Sequence, residues 1–162
     1  MSKPKIGFIG LGLMGAAMVN RLQDLGYYVS ICANISRPNI DAAVARGAQE
    51  VYTACQVAQA SDIIMLCMDT SANVESRMRG SEGVIAGLTA GNVVIDFGTS
   101  LPNSTRLLGN EVADVGAQYL DAPLGRTPSH ALEGKLNIMA SGDLNAYETV
   151  LSVLKDLGEN VF

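Results

Sequence analysis

The 162-residue sequence lacks tryptophan, has one histidine, and contains few aromatic residues, at 5% of the chain. Its 11 lysines and arginines are outnumbered by 16 acidic residues, so the net charge is −5 and no basic stripe occurs. Nucleic-acid-binding domains carry clustered positive charge, and we therefore expect no nucleic-acid partner. No apolar run approaches the roughly 20 residues that span a bilayer, and no signal-peptide pattern occurs. We expect no membrane association and a cytoplasmic location.

Clusters of metal ligands are also lacking. Cys32, Cys55 and Cys67 do not have the spacing of a metal site, and His130 has no second histidine to join it. A structural metal site needs several such ligands close together. We therefore predict no metal, and we interpret the cysteines, which lie in apolar settings, as buried free thiols.

What the sequence does have is a succession of short apolar runs that alternate with helical patterns. Hydrophobic residues make up 48% of the chain, enough for the core of one domain. The alternation predicts crossover units and an α/β fold of the doubly wound Rossmann type, with a mostly parallel sheet and helices on both faces. The predicted strands are 5–9, 28–32, 49–52, 62–68, 92–97, 117–123 and 135–141, with a last strand starting at 159. The predicted helices are 14–26, 39–46, 53–60, 71–79, 102–115 and 143–158.

A glycine-rich motif, G-x-G-x-x-G, lies where the first strand turns into the first helix. The pattern alone is weak evidence, but here a strand precedes it, a helix follows, and a second strand comes within about 30 residues. This context is typical of a dinucleotide-binding turn, although a helix-packing turn without a ligand is the alternative. The candidate cofactor contacts in the motif are Gly10, Leu11, Gly12, Leu13, Met14 and Gly15.

Each glycine of the motif has an expected physical role. Gly10 permits the tight turn, Gly12 lets the backbone approach a pyrophosphate, and Gly15 lets the helix pack closely on the strand. The free amides and the positive end of the helix dipole favour a phosphate at this place.

The end of the second strand indicates which dinucleotide is bound. An acidic residue there binds the ribose of NAD, whereas a nearby arginine suits the 2′-phosphate of NADP. No Asp or Glu occurs between Val29 and Ile40, and the candidate contacts are Ala33, Asn34 and Arg37. We therefore predict NADP or NAD with a slight preference for NADP. Arg37 could equally be a solvated loop charge.

Three segments in the same order resemble the β-hydroxyacid dehydrogenases, a family that includes 3-hydroxyisobutyrate dehydrogenase, tartronate semialdehyde reductase and 6-phosphogluconate dehydrogenase. "GFIGLGLMGAAMVNRLQDLGYYV" (7–29) resembles the family's nucleotide-binding start. "DFGTSLPNST" (96–105) resembles its Asp-x-Ser-Thr-x-x-Pro segment, and "YLDAPLGRTPSHALEGKLNIMASGD" (119–143) resembles its substrate-side signature. The resemblance implies hydride transfer between a nicotinamide cofactor and a small anionic substrate, a 3-hydroxy acid or semialdehyde.

The resemblance also implies further cofactor contacts. Met68 would contribute a backbone contact, although Asp69-Thr70 follows it where the family usually has Pro-Asn. Thr99 matches the family's threonine beside the nicotinamide, and Gly98 replaces the serine before it.

The implied substrate loop departs from the family pattern. Gly125, Arg126 and Thr127 stand where most members have Ser-Gly-Gly. This triplet resembles the Gly-Arg-Thr variant of sulfolactaldehyde reductase, a family member whose substrate bears a sulfonate. A guanidinium offers a permanent charge and a planar fork of donors, so Arg126 is the candidate anion-binding residue. The alternative is an arginine paired with a local carboxylate such as Asp121 or Glu133.

The family's general acid/base is a lysine in a Lys-x-x-Asn pattern on the first long helix beyond the nucleotide domain. Neither Lys135 nor Lys155 fits that pattern, and the last residues start a strand. We therefore expect residues 1–162 to be a dinucleotide-binding domain without the family's helical domain, without a catalytic residue, and oligomeric only in the full-length protein. The alternatives are a non-catalytic binding or interaction module and an imine reductase relative.

Overall fold

Residues 2–162, described by a computed structural model, alternate strands and helices along most of the chain. The strands are β1 (Ile6–Ile9), β2 (Val29–Cys32), β3 (Gln49–Val51), β4 (Ile63–Leu66), β5 (Val93–Asp96), β6 (Gln118–Asp121), β7 (Leu124–Gly125), β8 (Leu136–Ile138), β9 (Ser141–Gly142) and β10 (Gly158–Val161). The helices are α1 (Leu13–Asp24), α2 (Pro38–Ala45), α3 (Ala54–Gln59), α4 (Ser71–Met78), α5 (Val84–Gly87), α6 (Pro102–Asp114), α7 (Pro128–Leu132) and α8 (Leu144–Leu157).

The main sheet has the strand order β3-β2-β1-β4-β5-β6-β9. The first six strands pair in parallel, and the short β9 runs antiparallel to β6. The predicted doubly wound, mostly parallel sheet is confirmed. The order reverses between β1 and β4, and in such sheets ligands bind at the carboxyl ends of the strands beside the reversal.

Strand β4 illustrates why the central strands are continuous apolar runs. Ile63 and Met65 belong to one core cluster, which also includes residues of α1 and α8. Ile64 and Leu66 belong to the other, which includes residues of α3, α4 and α6. Successive side chains of a strand point to opposite faces, so a strand covered on both faces needs apolar residues at every position.

Side-chain caps fix where several helices begin. Thr53, Thr70 and Asp143 each accept a hydrogen bond from the backbone amide three residues later, at 3.0–3.1 Å. These bonds satisfy amides that have no partner inside the helix. The predicted caps Thr53 and Asp143 are confirmed, and Pro102 lies in the first turn of α6 as predicted.

The structure shortens one predicted strand and divides another. In the segment predicted as 117–123, only β6 forms. The segment predicted as 135–141 contains two separate strands, β8 and β9. Pro123 follows β6 and lacks the amide that a continuing ladder requires. The chain then enters a second sheet, with the order β10-β8-β7, which the sequence pattern did not predict. Helices α5 and α7 were not predicted either.

The second sheet and its helices are anchored beside α1. Helix α7 packs on α1, and Arg21 of α1 donates a hydrogen bond of 3.0 Å to the Asp156 carbonyl oxygen. The Tyr27 hydroxyl donates to the Asp156 carboxylate at 2.6 Å. Burial, followed by this bond, raises the pKa of Tyr27. Within residues 2–162, no helix is both long and apolar enough to span a membrane.

Candidate cofactor site

A cleft of about 230 Å³ opens at the carboxyl ends of β1, β2 and β4. Its walls include residues 10–12 after β1, Cys32 and residues 34–36 at the end of β2, Met68 after β4, and Arg77 on α4. The cleft therefore lies beside the reversal of strand order, where the topology predicts a ligand.

Two of the three motif glycines are required by the protein's own backbone. Gly10 has a φ of +99°, and a Cβ there would collide with the carbonyl oxygen of Cys67. A Cβ at Gly15 would collide with the carbonyl oxygen of Gly10. The turn and the close contact between α1 and the turn thus account for these two residues.

Gly12 has no such intramolecular explanation. Its φ of −73° is open to any residue, and a Cβ built there meets no atom within 4 Å. Gly12 nevertheless lines the cleft. The absence of a side chain here leaves the backbone open to the cleft, and this fits a ligand that approaches the backbone closely.

The amino terminus of α1 adds electrostatic attraction for an anion. Its N-cap, Gly12, has no side chain to bond the first amides, and no acidic residue lies in the first turn. These amides and the helix dipole make this end of α1 partly positive. A pyrophosphate group fits this arrangement.

The remaining motif residues point in different directions. Leu13 is 83% exposed, whereas Met14 packs against the core. Leu11 packs against the same core and also lines the cleft. Its carbonyl oxygen accepts a hydrogen bond of 2.9 Å from the Asn39 side chain, which ties α2 to the glycine turn.

Of the three predicted contacts after β2, only one lines the cleft. Asn34 is exposed and lines the cleft, whereas Ala33 packs against the core. Arg37 lies outside the lining and binds Glu50 and Asp41, each at 2.7 Å. The hydrogen bond from Arg37 lowers the pKa of Glu50. A 2′-phosphate contact by Arg37 would therefore require it to leave two carboxylates.

Arg77 was not among the predicted site residues, although it lines the cleft. It follows the buried Val74 by three positions on α4 and precedes the buried Met78, so it lies at the edge of the helix's buried face. This placement was visible in the sequence. The sequence alone did not reveal which strand end this edge of α4 faces, because that depends on tertiary packing.

The turns after β4 and β5 approach each other closely. A Cβ at Gly98 would lie 2.9 Å from the carbonyl oxygen of Met68, which explains why glycine is accepted here. The buried Asp96 carboxylate accepts hydrogen bonds from the Gly98 amide at 2.8 Å and the Ser100 hydroxyl at 2.6 Å. These bonds hold the turn that carries the exposed Thr99. Thr99 is not part of the cleft lining.

Asp96 also influences the groups around it. The Tyr119 hydroxyl lies 3.4 Å from the Asp96 carboxylate, and burial, followed by this charge, raises the pKa of Tyr119. The same two causes raise the pKa of Cys67 to about 11 and raise that of Asp121. A buried negative charge disfavours further ionisation nearby.

The cysteines are free, and Cys32 is buried as predicted. The prediction was wrong in detail for Cys55 and Cys67, which are partly exposed. Within residues 2–162, no cluster of three or more His, Cys, Asp and Glu side chains could hold a metal ion.

The predicted substrate loop lies apart from this cleft, at the end of β7. Gly125 ends that strand, Thr127 precedes α7, and Arg126 between them has a φ of +79°. The Arg126 guanidinium donates to the Glu159 carboxylate at 2.6 Å and to the Lys135 carbonyl oxygen at 2.7 Å. The paired carboxylate is therefore Glu159, and not Asp121 or Glu133.

Comparison with known proteins agrees with this geometry. The family described as the NAD binding domain of 6-phosphogluconate dehydrogenase matches residues 5–162. The chain belongs to this family. The predicted resemblance to the β-hydroxyacid dehydrogenases is confirmed, and the glycine turn, the cleft and the strand order are those of an NAD-binding domain.

Two relatives are similar over nearly the whole chain. The 2-hydroxy-3-oxopropionate reductase of Escherichia coli (strain K12) is 34% identical over 157 residues, which are 97% of this chain and 53% of the relative. The 2-(hydroxymethyl)glutarate dehydrogenase of Eubacterium barkeri is 35% identical over 158 residues, which are 98% of this chain and 52% of the relative. The chain thus spans about half the length of these relatives.

A solved structure gives the same fold. Psf3 in complex with NADP+ and 2-OPP superposes with a TM-score of 0.90 at 29% identity, covering 96% of this chain and 55% of that chain.

Proposed function

We propose that this domain binds NADP or NAD for an oxidoreductase that transfers hydride between the nicotinamide and a small anionic hydroxy acid or semialdehyde, or a sulfonate analogue. One observation carries the cofactor proposal: Gly12 lines the cleft, yet neither its backbone angles nor its packing requires a glycine. The relatives' names support the substrate class.

The chain's own residues would bind and orient the cofactor. Residues 10–12 and the amino terminus of α1 would hold the pyrophosphate, with the adenosine end beside Asn34. The backbone at Met68 and the turn at Thr99 would meet the nicotinamide end. Bound nicotinamide supplies the hydride chemistry, which is the cofactor's own.

The Asp96 carboxylate is a positioning group in this arrangement. It bonds Gly98 and Ser100 on both sides of Thr99, and so it fixes that turn. We assign proton transfer to no residue of the described chain. Lys135 is ion-paired with Glu133, and Lys155 is exposed on α8, away from the cleft lining.

For the substrate we propose Gly125, Arg126 and Thr127 as the anion-binding loop. A sulfonate or carboxylate would replace Glu159 on the Arg126 guanidinium, whose ordinary surface pairing is weak. The Thr127 hydroxyl, 2.8 Å from His130 Nδ1, is the second polar group of the loop. An Arg126→Gly variant should weaken binding of a small hydroxysulfonate more than that of the matched hydroxycarboxylate, in calorimetry at saturating NADP+. Equal losses, or none, would contradict this role.

The cofactor proposal is tested by titrating the 162-residue chain with NADPH and with NADH while following nicotinamide fluorescence. We expect saturable binding of at least one dinucleotide, competed by ADP because the pyrophosphate end is held by backbone amides. Absence of saturable binding for both would reject the proposal.

A further inference from the structure

We infer that Arg77 is the residue that contacts the ribose 2′ position of the dinucleotide and favours the 2′-phosphate of NADP. This inference rests on the proposed cofactor function and goes beyond it, because it assigns cofactor selection to a helix that follows β4 rather than to the turn that follows β2.

The charge of the cleft is the first argument. Among the described residues that line it, Arg77 is the only charged side chain, and no carboxylate is present. Sites that select NAD usually place an acidic group on the ribose hydroxyls. A 2′-phosphate instead carries negative charge, which a guanidinium binds with two parallel hydrogen bonds.

The second argument is that Arg77 is available. In the described part of the chain it forms no ion pair with a carboxylate. Arg37 is held by Glu50 and Asp41, and Arg79, the residue that follows α4, is held by Glu75 and Glu111. A phosphate can therefore bind Arg77 without displacing an existing partner.

The third argument is position. Arg77 lines the same cleft as Cys32, the last residue of β2. In agreement, the charge of Arg77 opposes the rise that burial causes in the pKa of that thiol. The ribose of a bound dinucleotide is expected at the end of this strand. Asn34 and Ser36 line the same cleft and add polar groups around the position.

The test compares Arg77→Gln with wild type, using NADPH, NADH, adenosine 2′,5′-bisphosphate and AMP as ligands of the 162-residue chain. Arg106→Gln is the matched control, because Arg106 is exposed on α6, lies outside the cleft and also forms no ion pair in the described chain. Calorimetry gives the dissociation constants, and circular dichroism melts check that each variant is folded.

We expect Arg77→Gln to raise the dissociation constants of NADPH and adenosine 2′,5′-bisphosphate about tenfold to a hundredfold, the loss typical of a charged hydrogen-bonded contact. The dissociation constants of NADH and AMP should change by less than about threefold. Arg77→Lys should recover part of the loss, because it keeps the charge without the fork.

Three results would overturn the inference while leaving the cofactor proposal intact. The first is an equal loss of affinity for NADPH and NADH in Arg77→Gln, and the second is no loss of affinity for either. The third is a selective loss of NADPH affinity in Arg37→Gln in place of Arg77→Gln. If wild type binds neither dinucleotide, the cofactor proposal itself fails, and the inference fails with it.

Discussion

The Ser100 hydroxyl donates a 2.6 Å hydrogen bond to the Asp96 carboxylate, which lies fully buried at the end of β5. The same carboxylate accepts the Gly98 amide. One acidic side chain thus fixes both sides of the turn that carries Thr99, and its replacement should affect stability and cofactor binding together.

We predict that Asp96→Asn lowers the free energy of unfolding by about 1–3 kcal/mol, because it removes the buried charge that strengthens both hydrogen bonds and replaces one of the two accepting oxygens by an NH₂ group. Urea denaturation measures the change. Asp114→Asn, at the exposed end of α6, is the control and should change stability by less than about 0.5 kcal/mol. Equal stability of the two variants would show that the network around Asp96 does not hold the turn.

Gly15→Ala should destabilise the fold strongly, since its Cβ would overlap the backbone carbonyl of Gly10. We expect a loss of about 1–3 kcal/mol or more, because backbone cannot move aside as a side chain can. Thermal denaturation monitored by circular dichroism is the measurement. A Gly15→Ala variant with the same melting temperature as wild type would refute the close contact between α1 and the turn.

The backbone at Arg126 provides a different comparison. Its φ of +79° favours glycine over residues with a Cβ. Arg126→Gly and Arg126→Ala both lose the ion pair with Glu159. The difference between their free energies of unfolding therefore reports the effect of the backbone conformation. We predict that the glycine variant is more stable by about 1 kcal/mol in urea denaturation. Equal stability, or a more stable alanine variant, would argue against the left-handed conformation.

Stability should depend on pH through Cys67. Burial and the Asp96 charge raise the pKa of this thiol to about 11, above the ordinary value of 9.0. A thiol whose pKa is raised by folding stabilises the fold fully below pH 9, and this contribution is lost as the pH rises towards 11. Because a pKa that differs by one between the folded and unfolded states corresponds to about 1.4 kcal/mol, the loss across this window is on the order of 2–3 kcal/mol.

The Cys67→Ala variant isolates this contribution. Its free energy of unfolding should fall less steeply between pH 9 and pH 11 than that of wild type, whatever its absolute stability. Parallel curves for the two proteins would mean that Cys67 does not ionise differently in the folded state.

The sequence predicted what depends on local pattern. The continuous apolar run of β4 indicated a strand covered on both faces, and Thr53 and Asp143 marked the starts of α3 and α8. The glycine turn was recognisable because strand, turn and helix are adjacent in the chain. Such features are set by residues a few positions apart.

Features that depend on distant segments were not predictable in the same way. Arg37 binds Glu50 because β2 and β3 pair side by side, with Cys32 opposite Val51. Arg77 lines the cleft at the end of β2 because of where α4 packs. The second sheet forms because β10 joins β8, bringing Glu159 to Arg126. Each of these contacts requires knowledge of which strands and helices are neighbours.

The role of Gly12 offers the most direct test of dinucleotide binding. Gly12→Ala and Gly109→Ala each add a methyl group that meets no atom within 4 Å, the first in the cleft and the second on α6. Both should remain folded. We predict that Gly12→Ala raises the dissociation constant of NADPH about tenfold or more by crowding the pyrophosphate, whereas Gly109→Ala binds like wild type. Identical NADPH affinities for the two variants would contradict the proposed cofactor site.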